Sequence, residues 1–514
     1  MNKLASPSEK HWVIEAPNPK IVIFALVAFF ILSSLLFLKT KFPIFNDEAL
    51  YSEMVLRFTQ GLGFSTPLFR DFIPFIERYA YWYPPIYFLT LAPIYLVFGA
   101  HLVTMRLFSL ACGLLALGLM YRLARKTLVF SYSTVLLLAI LVFDPQFQNS
   151  SIVGRMEILC LVWGLAALLA HWRGVKNGLL KWNFLAGLFA ALSLLTHPTG
   201  AIIIAPIGLN LFLATRLPIK QKIQSLLCFS LPIVLGLALW ATSFWSHFDI
   251  FLLQNQLQLH RKEFNDYYII ESLRFKPLHR LILLVYIFSN AWFCLKGIIK
   301  KSYTNSANLL LLLLAFTSLV FTILLKELWY AIYLSVFGAF FLIKNLEDFW
   351  QRKIYWPAVF FTIVLVVNSV IYFEGISQIN QVSESYEDFG QKLADQLPTN
   401  AKVLLISFPD PYFYFTEHRP DLQLRETPNS PIKEPIDVAV YALVLEDVDY
   451  AIVSYFPNQH LNQYFQNNLE TVVYNNQGNG NNPAMILKLK PVKDRLPLAV
   501  EPDLQWQYPT LPAK

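Results

Sequence analysis

Residues 77–113 read ERYAYWYPPIYFLTLAPIYLVFGAHLVTMRLFSLACG, and the two apolar runs in this stretch decide the layout of the whole chain. The second run, beginning after His101, is long enough to cross a bilayer. The first, residues 85–98, would cover only about 21 Å at 1.5 Å per residue, against a hydrocarbon core about 30 Å thick. It therefore lies in the outer interface or dips in and returns. Charge parity agrees. Basic clusters follow apolar segments at Arg122, Arg125 and Lys126; at Arg173, Lys176 and Lys181; at Arg216, Lys220 and Lys222; at Lys296, Lys300 and Lys301; and at Lys344, Arg352 and Lys353. All of them face the cytoplasm by the positive-inside rule, together with an N-terminal tail carrying Lys3, Lys10 and Lys20. A spanning helix at 85–98 would move every later cluster to the other side.

Composition sets the same class. Of 514 residues, 56% are hydrophobic and 15% charged, and mean hydropathy is +0.46, whereas a soluble domain carries about 25% charged residues. Eleven spanning helices are expected at 20–40, 101–124, 128–146, 152–172, 180–196, 199–215, 223–246, 279–297, 307–325, 328–346 and 354–374. The first is a retained helix, because no small-residue cleavage site follows it. The fold class is mainly α: a cytoplasmic tail (1–19), a polytopic membrane domain (20–375) with a first outer loop at 41–100, and a small extracytoplasmic α/β domain (376–514). In that last domain, residues 402–407, 438–444 and 451–455 have strand character. The net charge of +7 is spread over short topological clusters and forms no stripe, so no nucleic-acid partner is implied. Cys112, Cys160, Cys228 and Cys294 sit in apolar segments without metal-ligand spacing.

Helix middles are almost free of ionisable residues, whereas transport routes usually hold them there. Charged and aromatic residues gather at the outer ends instead, where an enzyme acting on a lipid head group needs them. In FPIFNDEALYSEM, Asp47 and Glu48 follow the first helix, and a carboxylate there can take a proton from an acceptor hydroxyl or amine. The competing reading makes Asp47 the N-cap of a helix starting at Ala49. In FQNSSIVGRMEILCLVWG, Arg155 can clamp a phosphate and Glu157 can hold a metal or orient the base; a solvated helix start with one salt bridge is the alternative. His197 in LLTHPTG is a phosphate contact or a cap. Around HRKEFNDYY, His260, Arg261 and Tyr267 belong to a loop placed to close over a substrate, or to an exposed linker. In KELWYAIYL, Lys326, Trp329, Tyr330 and Tyr333 suit a phosphate and a stacked sugar, though interfacial anchoring also accounts for Trp329 and Tyr330.

In this order the motifs resemble the GT-C superfamily of membrane glycosyltransferases, nearest the protein mannosyltransferase and aminoarabinose transferase branch, the dolichyl-phosphate-mannose-mannosyltransferase family. The resemblance covers about residues 20–375. It rests on the acidic pair Asp47 and Glu48, the segment Tyr83, Pro84 and Pro85, Phe98 and Gly99 with Arg106, the Arg155-x-Glu157 pair, and the basic-aromatic helix start at 326–333. Two departures stand out: Tyr83 where the family commonly has His or Lys, and Glu157 where it commonly has Asp. The resemblance implies a polyprenyl-phosphate-linked sugar donor and an inverting single displacement, with Asp47 and Glu48 as the catalytic pair and Asp47 as the base. The leaving phosphate would be stabilised by Arg155 and Lys326. Members differ over a divalent cation, for which Asp47 and Glu157 are the possible ligands. The acceptor is a lipid, glycan or protein, and the setting is a bacterial inner membrane. A flippase of lipid-linked saccharides and an outer-face glycan ligase or polymerase are the competing functions.

Overall fold

The computed structural model describes residues 18–38, 46–70, 72–177, 179–213, 218–264, 277–324, 328–354, 357–381, 384–426, 442–454, 459–476 and 484–498. Helices dominate in the order α1 (Pro19–Leu38), α2 (Asn46–Thr59), α3 (Ile86–Phe98), α4 (Leu102–Thr127), α5 (Ser131–Phe143), α6 (Pro145–Ile152), α7 (Glu157–Asn177) and α8 (Leu180–Thr196). They continue with α9 (Ala201–Leu213), α10 (Ile219–Phe244), α11 (Phe248–Phe264), α12 (Pro277–Ile299), α13 (Ser306–Leu324), α14 (Ala331–Gln351) and α15 (Pro357–Gln381).

Each of the eleven segments expected to span carries a helix, but they are unequal. Five helical stretches among the described residues are long and apolar enough to cross a membrane: Pro19–Leu36, Leu102–Thr127, Glu157–Val175, Ile219–Leu259 and Leu278–Ile299. A sixth arises if α5 and α6, bent by 63° at Asp144, count as one broken span. Helices α8 and α9 have 17 and 13 residues, about 26 and 20 Å at 1.5 Å per residue, so length alone does not carry all eleven across. The short outer helix expected after Pro85 is α3, with 13 residues.

The break at Asp144 has a local cause. Its carboxylate accepts the backbone N–H groups of Gln146 and Phe147 at 3.0 and 2.9 Å, and Pro145 occupies the first turn, so a new helix starts there in a new direction. From α12, the Tyr286 hydroxyl donates to the other Asp144 oxygen at 3.0 Å. Helix α14 is buried on nearly every side, as its apolar run over residues 331–343 requires, and it packs against α5, α12 and α13. Along α10, by contrast, Leu227, Leu231, Val234, Leu235 and Leu239 are exposed, a surface suited to lipid. Where α8 crosses α10, a Cβ at Gly187 would come within 2.1 Å of the Phe229 carbonyl oxygen, so only glycine permits this approach.

Helix α15 runs to Gln381, past the expected domain boundary at 376. After it a five-stranded sheet forms in the order β2-β1-β3-β5-β4. Strand β1 (Lys402–Ile406) pairs in parallel with β2 (Gln423–Glu426) and β3 (Tyr450–Val453), and β5 (Met485–Leu489) runs antiparallel to β3 and β4 (Leu469–Asn475). The strands expected at 402–407 and 451–455 correspond to β1 and β3. The one expected at 438–444 does not form over its described part: residues 442–446 are helical, and 438–441 lie outside the described residues. This run is apolar because its helix packs Val444 and Leu445 into the core of the sheet. Period-2 and period-3.6 patterns are indistinguishable over so short a stretch.

The sheet lobe sits on the segment between α1 and α3. Tyr412 donates to Glu53, the Glu426 N–H donates to the Leu68 carbonyl at 2.8 Å, and Arg70 pairs with Asp447. Burial lifts Asp410 to about 6, Glu426 well above the carboxylate range, and Glu53 in the same direction.

Candidate active site

Helix α2 starts at Asn46, three residues before Ala49, so Asp47 and Glu48 both lie in its first turn. Neighbouring residues on a helix diverge by about 100°, and the two carboxylates part accordingly. Glu48 turns inward to α4, where Arg106 Nε and Nη2 donate to its oxygens at 2.9 and 2.7 Å, both side chains being 0% exposed. Glu48 Oε1 also accepts the Gly154 N–H at 2.8 Å. Asp47 turns the other way, 33% exposed, and pairs with Arg155.

Arg155 lies between α6 and α7, next to the glycine that Glu48 holds. Its guanidinium grips Glu157 with two hydrogen bonds, Nη2 to Oε1 at 2.8 Å and Nε to Oε2 at 3.2 Å, and reaches Asp47 through Nη1. The Trp329 ring lies 4.2 Å from Arg155 Cζ, and the Tyr51 ring lies 6.0 Å from it. Cation–π contact and two carboxylates thus fix the plane of the guanidinium. Tyr51 follows Asp47 by one helical turn, and its ring meets Tyr83 edge-on at 5.3 Å. His197, at the C-terminus of α8, has its ring 5.3 Å from Tyr330 and lies within electrostatic reach of Glu157. Tyr333 is buried below, with its hydroxyl 2.9 Å from Thr199 Oγ1.

Seven positions singled out in sequence, Asp47, Tyr83, Arg155, Glu157, His197, Trp329 and Tyr330, thus gather from α2, the segment before α3, the start of α7, the end of α8 and the turn before α14. Glu48 stands apart, behind Asp47. Lys326 and Tyr267 lie outside the described residues. His260 and Arg261 belong to the backbone of α11, so residues 248–264 of the expected loop are helical. Tyr51 and Thr199 join the group without having been singled out as site residues. Each had a signal: Tyr51 is one turn from Asp47, and Thr199 follows a histidine that ends a helix.

The donor set does not suit a divalent ion. The Arg155 guanidinium already stands between Asp47 and Glu157, and among the described residues no three His, Cys, Asp or Glu side chains converge to hold a metal.

Comparison with known proteins bears on the fold. The family profile described as dolichyl-phosphate-mannose-protein mannosyltransferase matches residues 83–244, from Tyr83 through α10. No characterised protein matches by sequence. Among solved structures, ArnT from Cupriavidus metallidurans bound to undecaprenyl phosphate is similar over 91% of this chain and 97% of its own, with a TM-score of 0.53 and 14% identity. The archaeal oligosaccharyltransferase AglB from Archaeoglobus fulgidus, in complex with an inhibitory peptide and a dolichol-phosphate, is similar over 85% of this chain and 69% of its own, with a TM-score of 0.50 and 14% identity. The profile match over residues 83–244 and the fold shared with these two solved structures make this chain similar to GT-C membrane glycosyltransferases, and its own architecture is that of a polytopic, mainly helical membrane protein with a small C-terminal sheet.

Proposed function

We propose that the chain is a glycosyltransferase that moves a sugar from a polyprenyl-phosphate donor to a lipid, glycan or protein acceptor on the extracytoplasmic face. The observation carrying this reading is the Asp47–Arg155–Glu157 group, with Trp329 beneath the guanidinium. The solved relatives named above were captured with undecaprenyl phosphate and with a dolichol-phosphate, which supports a lipid phosphate as the shared ligand chemistry.

The group carries one negative charge as it stands, two carboxylates against one guanidinium. An incoming donor phosphate competes for Arg155, and Asp47 is the partner to yield. It is 33% exposed against 2% for Glu157, and it meets the guanidinium through one nitrogen where Glu157 meets it through two. Arg155 then neutralises the phosphate while Glu157 holds it in plane. Asp47, released, takes the proton of the acceptor hydroxyl or amine as that atom bonds to the anomeric carbon. The bond from this carbon to the phosphate oxygen breaks on the opposite face, and the polyprenyl phosphate leaves with the electron pair, stabilised by Arg155. Inversion at the anomeric carbon follows. In this reading Arg155 supplies the positive charge, so transfer is expected without a divalent cation.

The test is discharge of labelled polyprenyl-phosphate sugars by purified protein in nanodiscs. Wild type should transfer or hydrolyse a donor equally with and without EDTA. Asp47→Asn, folded to the same melting temperature, should lose roughly 100- to 10,000-fold, the range of general-base contributions. Discharge abolished by EDTA would overturn the metal-free site. Transbilayer movement of lipid-linked sugar without any discharge would replace the transferase with a carrier.

A further inference from the structure

His197 stands at the end of α8, and one edge of its ring is held by a backbone N–H and a chain of two hydroxyls. The Thr199 backbone N–H donates to Nδ1 at 3.2 Å, closing the short turn Pro198–Gly200. A backbone N–H only donates, so this bond biases the ring toward a lone pair on Nδ1, and at 3.2 Å it is long enough to leave the shorter hydroxyl contact to settle the tautomer. Thr199 Oγ1 lies 2.7 Å from the same nitrogen and 2.9 Å from the Tyr333 hydroxyl. One orientation satisfies the chain: Tyr333 donates to Thr199, and the Thr199 hydroxyl donates to Nδ1. The backbone is pinned as well. His197 N–H donates to the Ser193 carbonyl at 3.0 Å, while the His197 carbonyl accepts from Gly200 N–H at 3.0 Å and from Cys160 Sγ at 3.6 Å.

We propose that Thr199 and Tyr333 are positioning residues that hold His197 as the neutral tautomer protonated on Nε2, so that His197 offers the leaving phosphate a hydrogen bond and not a positive charge. The role in transfer rests on the function proposed above; the tautomer does not. A second proton would have to sit on Nδ1, facing the Thr199 N–H, and would break that bond. Among the described residues the cation of the site is Arg155, already shared by two carboxylates. A neutral donor beside it contributes direction to phosphate binding without drawing Glu157 off the guanidinium.

The first measurement is nitrogen NMR of the full chain in nanodiscs with labelled histidine, the His197 signals being identified by their loss in His197→Gln. The proposal expects Nδ1 in the range of an unprotonated ring nitrogen and Nε2 in the protonated range. It also expects both to move toward a tautomer average in Thr199→Val and in Tyr333→Phe, but not in Thr199→Ser. A protonated Nδ1 in wild type, or no movement in either variant, overturns it. The second measurement is turnover with a polyprenyl-phosphate sugar. His197→Gln, whose amide nitrogen reaches the Nε2 position, should stay within about tenfold of wild type, while His197→Asn and His197→Ala fall by roughly 10- to 100-fold, the effect of one hydrogen bond to a charged group. Equal losses in the Gln and Ala variants would sink the donor role. If wild type discharges no donor at all, the transferase reading fails, and the NMR result still decides the tautomer.

Discussion

Arg106→Met should be among the most damaging single changes in this chain, although Arg106 touches none of the seven clustered site residues. Its guanidinium and the Glu48 carboxylate are both completely buried and joined by two hydrogen bonds of 2.9 and 2.7 Å. Removing one member of such a pair leaves the other charge buried without its counterion, a loss of about 3–5 kcal/mol. Replacing both members with apolar groups of similar volume is often neutral or stabilising, so Glu48→Leu/Arg106→Met should recover most of that stability. Activity should not recover with it. Glu48 Oε1 also accepts the Gly154 N–H at 2.8 Å, and this bond anchors the residue before Arg155. Denaturant unfolding in nanodiscs, followed by tryptophan fluorescence, gives the stability order, and donor discharge gives the activity. The reasoning fails if Arg106→Met costs less than about 1 kcal/mol, if the double variant is no more stable than the single one, or if the double variant works as well as wild type.

Two further outcomes follow from other parts of the fold. Asp410, buried at the seam and facing Glu426 and Glu48, titrates at about 6 instead of 3.8. Between these values the docked lobe keeps a proton that the unfolded chain releases, so the contribution of Asp410 to stability is greatest below about pH 4, falls as pH rises to about 6, and then levels. The fall amounts to at most about 3 kcal/mol, and Asp410→Asn should remove it and raise the melting temperature at pH 8. An unchanged pH slope in that variant would contradict the assignment. Gly187→Ala, by forcing a methyl onto the Phe229 carbonyl, should destabilise the α8–α10 crossing by about 1–3 kcal/mol, and unaltered thermal unfolding would count against so close an approach.

Much of this was legible because bilayer chemistry is severe. Long apolar runs with charged ends give helices with little ambiguity, and the shortness of the run after Pro85 marked α3 before any coordinates. The bend at Asp144 was not seen, because residues 128–146 look like one span by apolarity, although its cause is local: Asp144 caps Gln146 and Phe147 and Pro145 opens the new helix. The sheet lobe was partly read. Strands β1 and β3 are central, flanked on both sides, and carry continuous apolar runs. Strands β2 and β4 lie at the edges, with polar or mixed faces, and carry little such pattern. In the site, residue type and outer placement were enough to bring seven side chains to notice. What sequence order did not separate was Glu48 from Asp47.

That separation explains why an acidic pair is useful at the head of α2. One turn of helix presents adjacent residues to different surroundings, so two identical functional groups acquire opposite properties. Glu48, completely buried and paired with Arg106, cannot approach an acceptor, but through the Gly154 N–H it sets the position of the loop that delivers Arg155. Asp47, one residue earlier and one-third exposed, is the carboxylate that in the proposed mechanism gives up the same Arg155 to a phosphate. Both carboxylates therefore act on one guanidinium, Glu48 from behind through the backbone and Asp47 from the front through its charge. A change at Glu48 should misplace Arg155 and weaken donor binding as well as turnover. A change at Asp47 should leave Arg155 in place and free of a competitor, so that donor binding holds or tightens while turnover is lost. Titration of polyprenyl phosphate into Asp47→Asn and Glu48→Gln, beside their rates, separates the two, and a loss of affinity in Asp47→Asn equal to that in Glu48→Gln would contradict this division of roles.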